Sequence, residues 1–285
     1  MARLCLLLLL GGLALLLVAA PAWGQEADPS SPPALVVRFL NVGQGDGAWL
    51  TTPDGHTILI DCGPGGFGRR LVAQLQAAGV QQIDVLAPSH AHADHMGGCI
   101  EVVRQMPVAE VLWTGQTDTS ITWRTFWNEV QTRGLPVTRL ETGQVFDWGG
   151  GVTTTVYNPI SHADGSRVDE YDDSHVLLVE YLGTRILFVG DIHERGEQRA
   201  LAAGLPPVQI LKVAEHGSAE GSSAAFLAAT RPRLAILSFA TPNAFDLPNP
   251  IVTARLAQDG IGALDTADRG TITITVDGYS VATDR

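Results

Sequence analysis

Three histidines and an aspartate fall within six positions in His90-Ala91-His92-Ala93-Asp94-His95. Neutral imidazoles suit zinc, and a carboxylate among them widens the choice to manganese or iron. Ala91 and Ala93 keep the spacers small and Gly97-Gly98 follows, so the backbone can fold tightly enough for alternate imidazoles to converge on one ion. A single loop histidine is ordinarily a solvated or hydrogen-bonded side chain; this density of donors reads instead as a metal site. Two further donors stand far along the chain. Asp191 closes Phe188-Val189-Gly190-Asp191, a strand end from which a carboxylate can bridge two cations, and His216 lies in Glu215-His216-Gly217-Ser218. Alone, either fits an ordinary turn. With the histidine run, they supply what a second cation needs, and a buried aspartate requires a charged partner in any case.

The elements that must position these donors are legible as runs of β-branched residues. Strands are expected at Leu35–Leu40, Thr57–Asp61, Ile83–Ala87, Val108–Trp113, Val152–Tyr157, Val176–Tyr181, Arg185–Val189, Gln209–Val213, Arg233–Phe239 and Thr271–Val276. Helical patterns lie between them at Gly68–Ala78, Ile121–Arg133, Glu194–Ala203, Ser222–Thr230 and Pro250–Gln258. This mixture implies sheets with helices packed on their outer faces. A faint internal echo accompanies it: Thr57–Asp61 resembles Arg185–Asp191, and Ile83–Ala87 runs into His90 as Gln209–Val213 runs into His216. Two related halves would deliver polar residues from strand ends to one shared edge.

These segments also occur in a familiar order. Phe39 to Gly47, Leu59-Ile60-Asp61, Ser89 to Gly98, Asp173 to Leu177, Val189-Gly190-Asp191, Leu211-Lys212-Val213 with His216-Gly217-Ser218, and Thr266 to Ile272 together resemble the metallo-β-lactamase superfamily, specifically the hydrolase domain of the competence DNA-uptake protein ComEC. The resemblance runs from about Leu35 to the C-terminus. It implies an αββα sandwich of two mixed β-sheets with helices on the outer faces and two divalent metal ions, zinc or manganese, at one edge. His90 and His92 would hold the first metal, Asp94, His95 and His216 the second, with Asp191 bridging and Asp61 orienting the ligands from behind. Asp94 and Asp191 would be the catalytic carboxylates. Three departures accompany the match. Glu170-Tyr171-Asp172-Asp173-Ser174 stands where the superfamily commonly has another first-metal histidine, leaving completion to Asp172, Asp173 or water. Glu215 replaces the first histidine of a His-His-Gly-Ser pattern, and Asn249 replaces a histidine before Pro250. The multi-helix membrane channel of such uptake proteins has no counterpart here, so transport itself is not implied.

Composition bounds the rest. Hydrophobic residues make up 45% and charged residues 17% of the 285 residues, which fits a sizeable core and argues against disorder. The first 24 residues read as a signal peptide: Arg3, an apolar run from Leu4 to Ala20, then Ala22 and Gly24 before a cleavage point at Gln25. Retained, the same segment would be a membrane anchor at the short limit for spanning. Residues 25–34 read as a proline-rich linker and 35–285 as one hydrolase domain, secreted or periplasmic. Removing the leader leaves Cys62 and Cys99, read as two small buried side chains rather than a disulfide.

The charge of -12 opposes tight binding to long nucleic acid. Lys212 is the only lysine; it either holds a phosphate oxygen or lies along the surface with its head in water. Ser218 and Asn249 are candidate substrate contacts that also suit turns. Two cations sharing a water can serve phosphodiesters, thioesters and lactams alike. A phosphodiesterase acting on short or single-stranded DNA is the leading expectation. Hydrolysis of a small-molecule ester, thioester or lactam is the second, and a metal-dependent binding module without catalysis the third.

Overall fold

The computed structural model describes residues 33–159, 169–277 and 281–283. The expected signal peptide and all but the last two residues of the expected linker lie outside the described residues.

Fifteen strands are described, in two sheets. The first holds β1 (Leu35–Phe39), β2 (Gly47–Thr51), β3 (Thr57–Cys62), β4 (Ile83–Ala87), β5 (Val108–Trp113), β6 (Val137–Arg139), β14 (Ile272–Val276) and β15 (Val281–Thr283). The second holds β7 (Val145–Asp147), β8 (Thr153–Asn158), β9 (Val176–Tyr181), β10 (Thr184–Phe188), β11 (Ile210–Lys212), β12 (Leu234–Leu237) and β13 (Gly262–Asp265). Their orders are β15-β14-β1-β2-β3-β4-β5-β6 and β13-β12-β11-β10-β9-β8-β7. Each sheet is antiparallel on one side and parallel on the other, the change falling at β3 in the first and at β10 in the second. The internal echo of the sequence therefore has a structural counterpart. β3 and β10 occupy equivalent places, and their parallel neighbours β4 and β11 lead to His90 and His216.

Alternation along the strands divides the apolar residues between layers. Ile186 and Phe188 of β10 face the first sheet, where Phe188 stacks on Phe39 at 5.5 Å, while Leu187 faces the opposite way. On the outer face of the first sheet pack α1 (Gly65–Ala77), α3 (Cys99–Gln105) and α4 (Ile121–Thr132), burying Leu71, Leu75, Val102 and Phe126. The short α2 (Ala93–Met96) carries part of the histidine run. Against the second sheet lie α5 (Glu194–Ala202), α6 (Ala224–Thr230) and α7 (Pro250–Gln258), with α8 (Thr266–Arg269) beside β13. The layers are α, β, β, α. Cys62 and Cys99 are free and buried. Among the described residues no helix is long and apolar enough to cross a membrane.

Candidate metal centre

Parallel strands bring their C-terminal ends to one edge, and the donors are gathered there. From β4 the chain passes through Ser89 into the histidine run, and Asp61 at the end of β3 anchors it from below. Asp61 takes a positive φ of 55°, a conformation aspartate tolerates better than most residues. Its Oδ1 accepts from the Ser89 amide at 2.6 Å, and its Oδ2 lies 2.9 Å from His95 Nδ1. That contact fixes the His95 ring and turns Nε2 toward the centre, as a carboxylate behind a ligating histidine does. The Ser89 hydroxyl sits 2.9 Å from His90 Nδ1, and the Ser89 carbonyl accepts from the His175 amide at 3.0 Å, tying β9 to the loop. Gly45 (φ 132°) permits this crowding: a Cβ there would drive into the Asp94 carbonyl oxygen.

Asp191 enters from β10 of the other sheet and is 3% exposed. Its Oδ2 stands 3.2 Å from His95 Nε2, 3.7 Å from His90 Nε2 and 3.8 Å from His216 Nε2. Asp94 Oδ2 lies 3.2 Å from His216 Nε2. Buried polar atoms ordinarily find partners, yet His90 Nε2, His95 Nε2, His216 Nε2 and Asp191 Oδ1 are buried with no hydrogen-bond partner. Ligating atoms of His90, His92 and Asp191 lie within 4.8 Å of one another, as do those of His95, Asp191 and His216. Two donor groups thus share Asp191, and this set of imidazoles and carboxylates fits two divalent cations.

Asp46, just before β2, is a site residue the sequence reading passed over. One of its oxygens falls within the same 4.8 Å group as His95, Asp191 and His216. Both its oxygens are engaged, however: Oδ1 lies 3.2 Å from His216 Nδ1 and Oδ2 is 2.6 Å from Lys212 Nζ. With the Ser238 carbonyl 3.0 Å from the same His216 nitrogen, Asp46 orients His216 rather than binding a cation. This corrects the substrate role expected of Lys212. Its ammonium is buried, held by Asp46 and by the Val213 carbonyl at 2.8 Å, and so faces the interior rather than a substrate. A lone lysine at the end of a buried strand was the available signal, because a buried ammonium demands an acidic partner.

The first-metal side is also corrected. Asp172 Oδ1 accepts from the amides of His193 and Gly196 at 3.0 and 2.7 Å, at the start of α5. Asp173 pairs with Arg199 at 2.7 Å. Neither is free to complete a set with His90 and His92. The residues beside His92 are Glu170, whose Oε2 is 3.5 Å from its Nε2, and Tyr171, whose ring meets it edge-on at 4.9 Å and stacks on His193 at 4.5 Å. Ser218 and Asn249, the other expected substrate contacts, each make a local backbone bond: Ser218 Oγ accepts from the Glu220 amide at 3.3 Å, and Asn249 Oδ1 caps α7 through the Ile251 amide at 2.9 Å.

A family model described as the metallo-β-lactamase superfamily matches residues 42–241. The chain belongs to this superfamily. It is 29% identical to Competence protein ComA of Neisseria gonorrhoeae over 255 residues, covering 88% of this chain and 33% of that protein. It is 24% identical to ComE operon protein 3 of Bacillus subtilis, covering 83% of this chain and 32% of the relative. The chain thus spans about a third of the length of these curated relatives. Among solved structures, CmlA, a diiron β-hydroxylase from Streptomyces venezuelae, superimposes with a TM-score of 0.56 at 14% identity, covering 86% of this chain and 54% of that one. That likeness concerns the fold alone.

In this superfamily member, proton charge is spread unevenly over the site. Burial, reinforced by the charge of His95, holds His90 well below the usual histidine range and keeps it neutral. Burial would also depress His95 and His216. For His95, Asp191 and Asp61 outweigh it; for His216, Asp191 and Asp46 do, raising it to about 9. Burial would raise Asp191, but the facing histidines hold it well below the ordinary carboxylate value. Without cations, protons on His95 and His216 balance the carboxylates, and a cation must displace them.

Metal loading at pH 7 should release protons, and affinity should rise with pH through the deprotonation of His216 near 9; calorimetry in buffers of different ionisation enthalpy reads this, and a proton-neutral, pH-independent affinity would contradict it. Asp46→Asn should weaken one of two metal sites roughly 10- to 100-fold while leaving the other. Chelator competition with metal counting checks this, and unchanged affinity for both metals would show that Asp46 does not support His216.

Proposed function

We propose that this chain is a two-metal phosphodiesterase acting on single-stranded or short nucleic acid outside the cytoplasm. The observation that carries the reading is the convergence of unpartnered buried donors on the shared carboxylate of Asp191. The competence relatives favour a nucleic-acid substrate, and the charge of -12 favours short or single strands over long duplex.

His90, His92 and Asp191 would hold one cation, and His95, Asp191, His216 and Asp94 the other. Two such cations, zinc or manganese, would supply a nucleophile at neutral pH and charge stabilisation for a phosphoryl group. The protein holds the donors rigid: Asp61 and Asp46 fix two imidazoles from behind, and both sheets exclude water beneath them. The Asp94 side chain is 36% exposed, whereas those of Asp191 and His216 are each 4% exposed. Asp94 is therefore the donor-set carboxylate that also meets solvent, placed to orient an incoming water by accepting its hydrogen bond.

Purified metal-loaded protein, offered a single-stranded oligonucleotide, bis(p-nitrophenyl) phosphate and a β-lactam, should turn over the phosphodiesters and lose that activity to chelator. Lactam hydrolysis without phosphodiester turnover would replace this reading with that of a small-molecule hydrolase, and bound metal without any turnover would leave a binding module.

A further inference from the structure

The segment after β12 carries a side chain that the metal centre does not use. Both ends of this loop are fastened to the surroundings of His216. On the way out, the Ser238 carbonyl lies against His216 Nδ1, the Ser238 hydroxyl donates to the Gly45 carbonyl at 2.8 Å, and the Ala240 amide donates to Gln44 Oε1 at 3.3 Å. On the way back, the Asn249 amide donates to the carbonyl of Gly217, the residue following His216, at 2.8 Å. Between these anchors, Asn243 organises the loop through four hydrogen bonds. Its Nδ2 donates to the carbonyls of Ala240 and Leu247 at 2.8 and 2.7 Å, and its Oδ1 accepts from the amides of Phe245 and Leu247 at 3.0 and 3.1 Å.

Within this braced loop Phe245 is 68% exposed, with Ile251 at 53% just beyond the return anchor. Scattered apolar side chains on a surface are ordinary. A phenylalanine carried on a short loop that Asn243 braces, and whose two ends are fastened beside His216, is a different case: the bracing fixes the backbone that presents the ring. The acidic surface adds a second constraint. Most proteins that bind nucleic acid gain affinity from phosphate contacts through lysine and arginine, which a net charge of -12 disfavours here. Affinity for a strand must then come from cations on the phosphate and from contacts that do not depend on charge. Stacking of a base on an aromatic ring is such a contact, and it tolerates any sequence because every base has a π-face.

We propose that Phe245 is a stacking platform for one nucleobase of the strand whose phosphodiester lies at the metal centre. This rests on the phosphodiesterase reading for its ligand, and its test is a binding measurement that does not need turnover. The probes are a fluorescently labelled ten-nucleotide oligothymidylate with cleavage-resistant phosphorothioate linkages and an abasic strand of equal length and charge. Metal-loaded wild-type protein should bind the base-bearing strand roughly 5- to 100-fold more tightly than the abasic one. Phe245→Ala should largely abolish that preference, and Phe245→Trp should keep it. The preference should be the same at low and high salt. A Phe245→Ala protein of unchanged thermal stability that retains the full preference would overturn the proposal, as would wild-type protein that shows none. Preference without cleavage of an ordinary strand would sustain the platform and remove the catalytic reading; cleavage with a preference indifferent to Phe245 would do the reverse.

Discussion

Asp191 is the point on which the site depends. A carboxylate 3% exposed is costly unless positive charge faces it. Three imidazole Nε2 atoms face it between 3.2 and 3.8 Å, two from the histidine run after β4 and one from the turn after β11. In the protein without cations, protons on two of those rings meet the requirement; with cations bound, the same atoms would be the ligands. Either way, the charge of Asp191 joins the two halves of the sandwich at their shared edge. The partners behind the rings differ in kind on the two sides. Asp61 holds His95 directly, whereas Asp46 holds His216 and is itself balanced by the buried ammonium of Lys212.

This division follows from the repeated plan of the sheets. In each, the strand where antiparallel pairing gives way to parallel pairing ends at a key aspartate, and its parallel neighbour leads to a histidine. The two aspartates have diverged in task. Asp61 stays behind the ring it supports, while Asp191 reaches between rings. The apolar layer that keeps both in register is continuous across the sheets, with Phe39 and Phe188 stacked close beneath the site.

Much of this was legible in the sequence, for reasons that differ by residue. The histidine run announces itself through ligand type and spacing, which are local properties. Strands such as β4, β5 and β9 show as dense β-branched runs and coincide with their expected bounds. β2 did not stand out: the chain buries its first four residues on both faces, so it lacks the alternation of a half-buried strand. β6, β7 and β13 are short sheet-edge or near-edge strands with weak apolar signal. Asp46 could not be placed because its role is a pairing across 170 positions with His216. Lys212 was misjudged for the same reason, since an ammonium is expected in water until its buried partner is known. Asp172 and Asp173 have the right chemistry for a metal but are drawn off by the start of α5 and by Arg199.

Sharing of the one Asp191 carboxylate between two cations would leave a magnetic signature. Electron paramagnetic resonance of the protein loaded with two equivalents of manganese tests it most directly. A spin-coupled pair is expected in the wild-type protein, with loss of that coupling in Asp191→Asn. Two isolated, uncoupled manganese signals in the wild type, or coupling that survives Asp191→Asn, would contradict it.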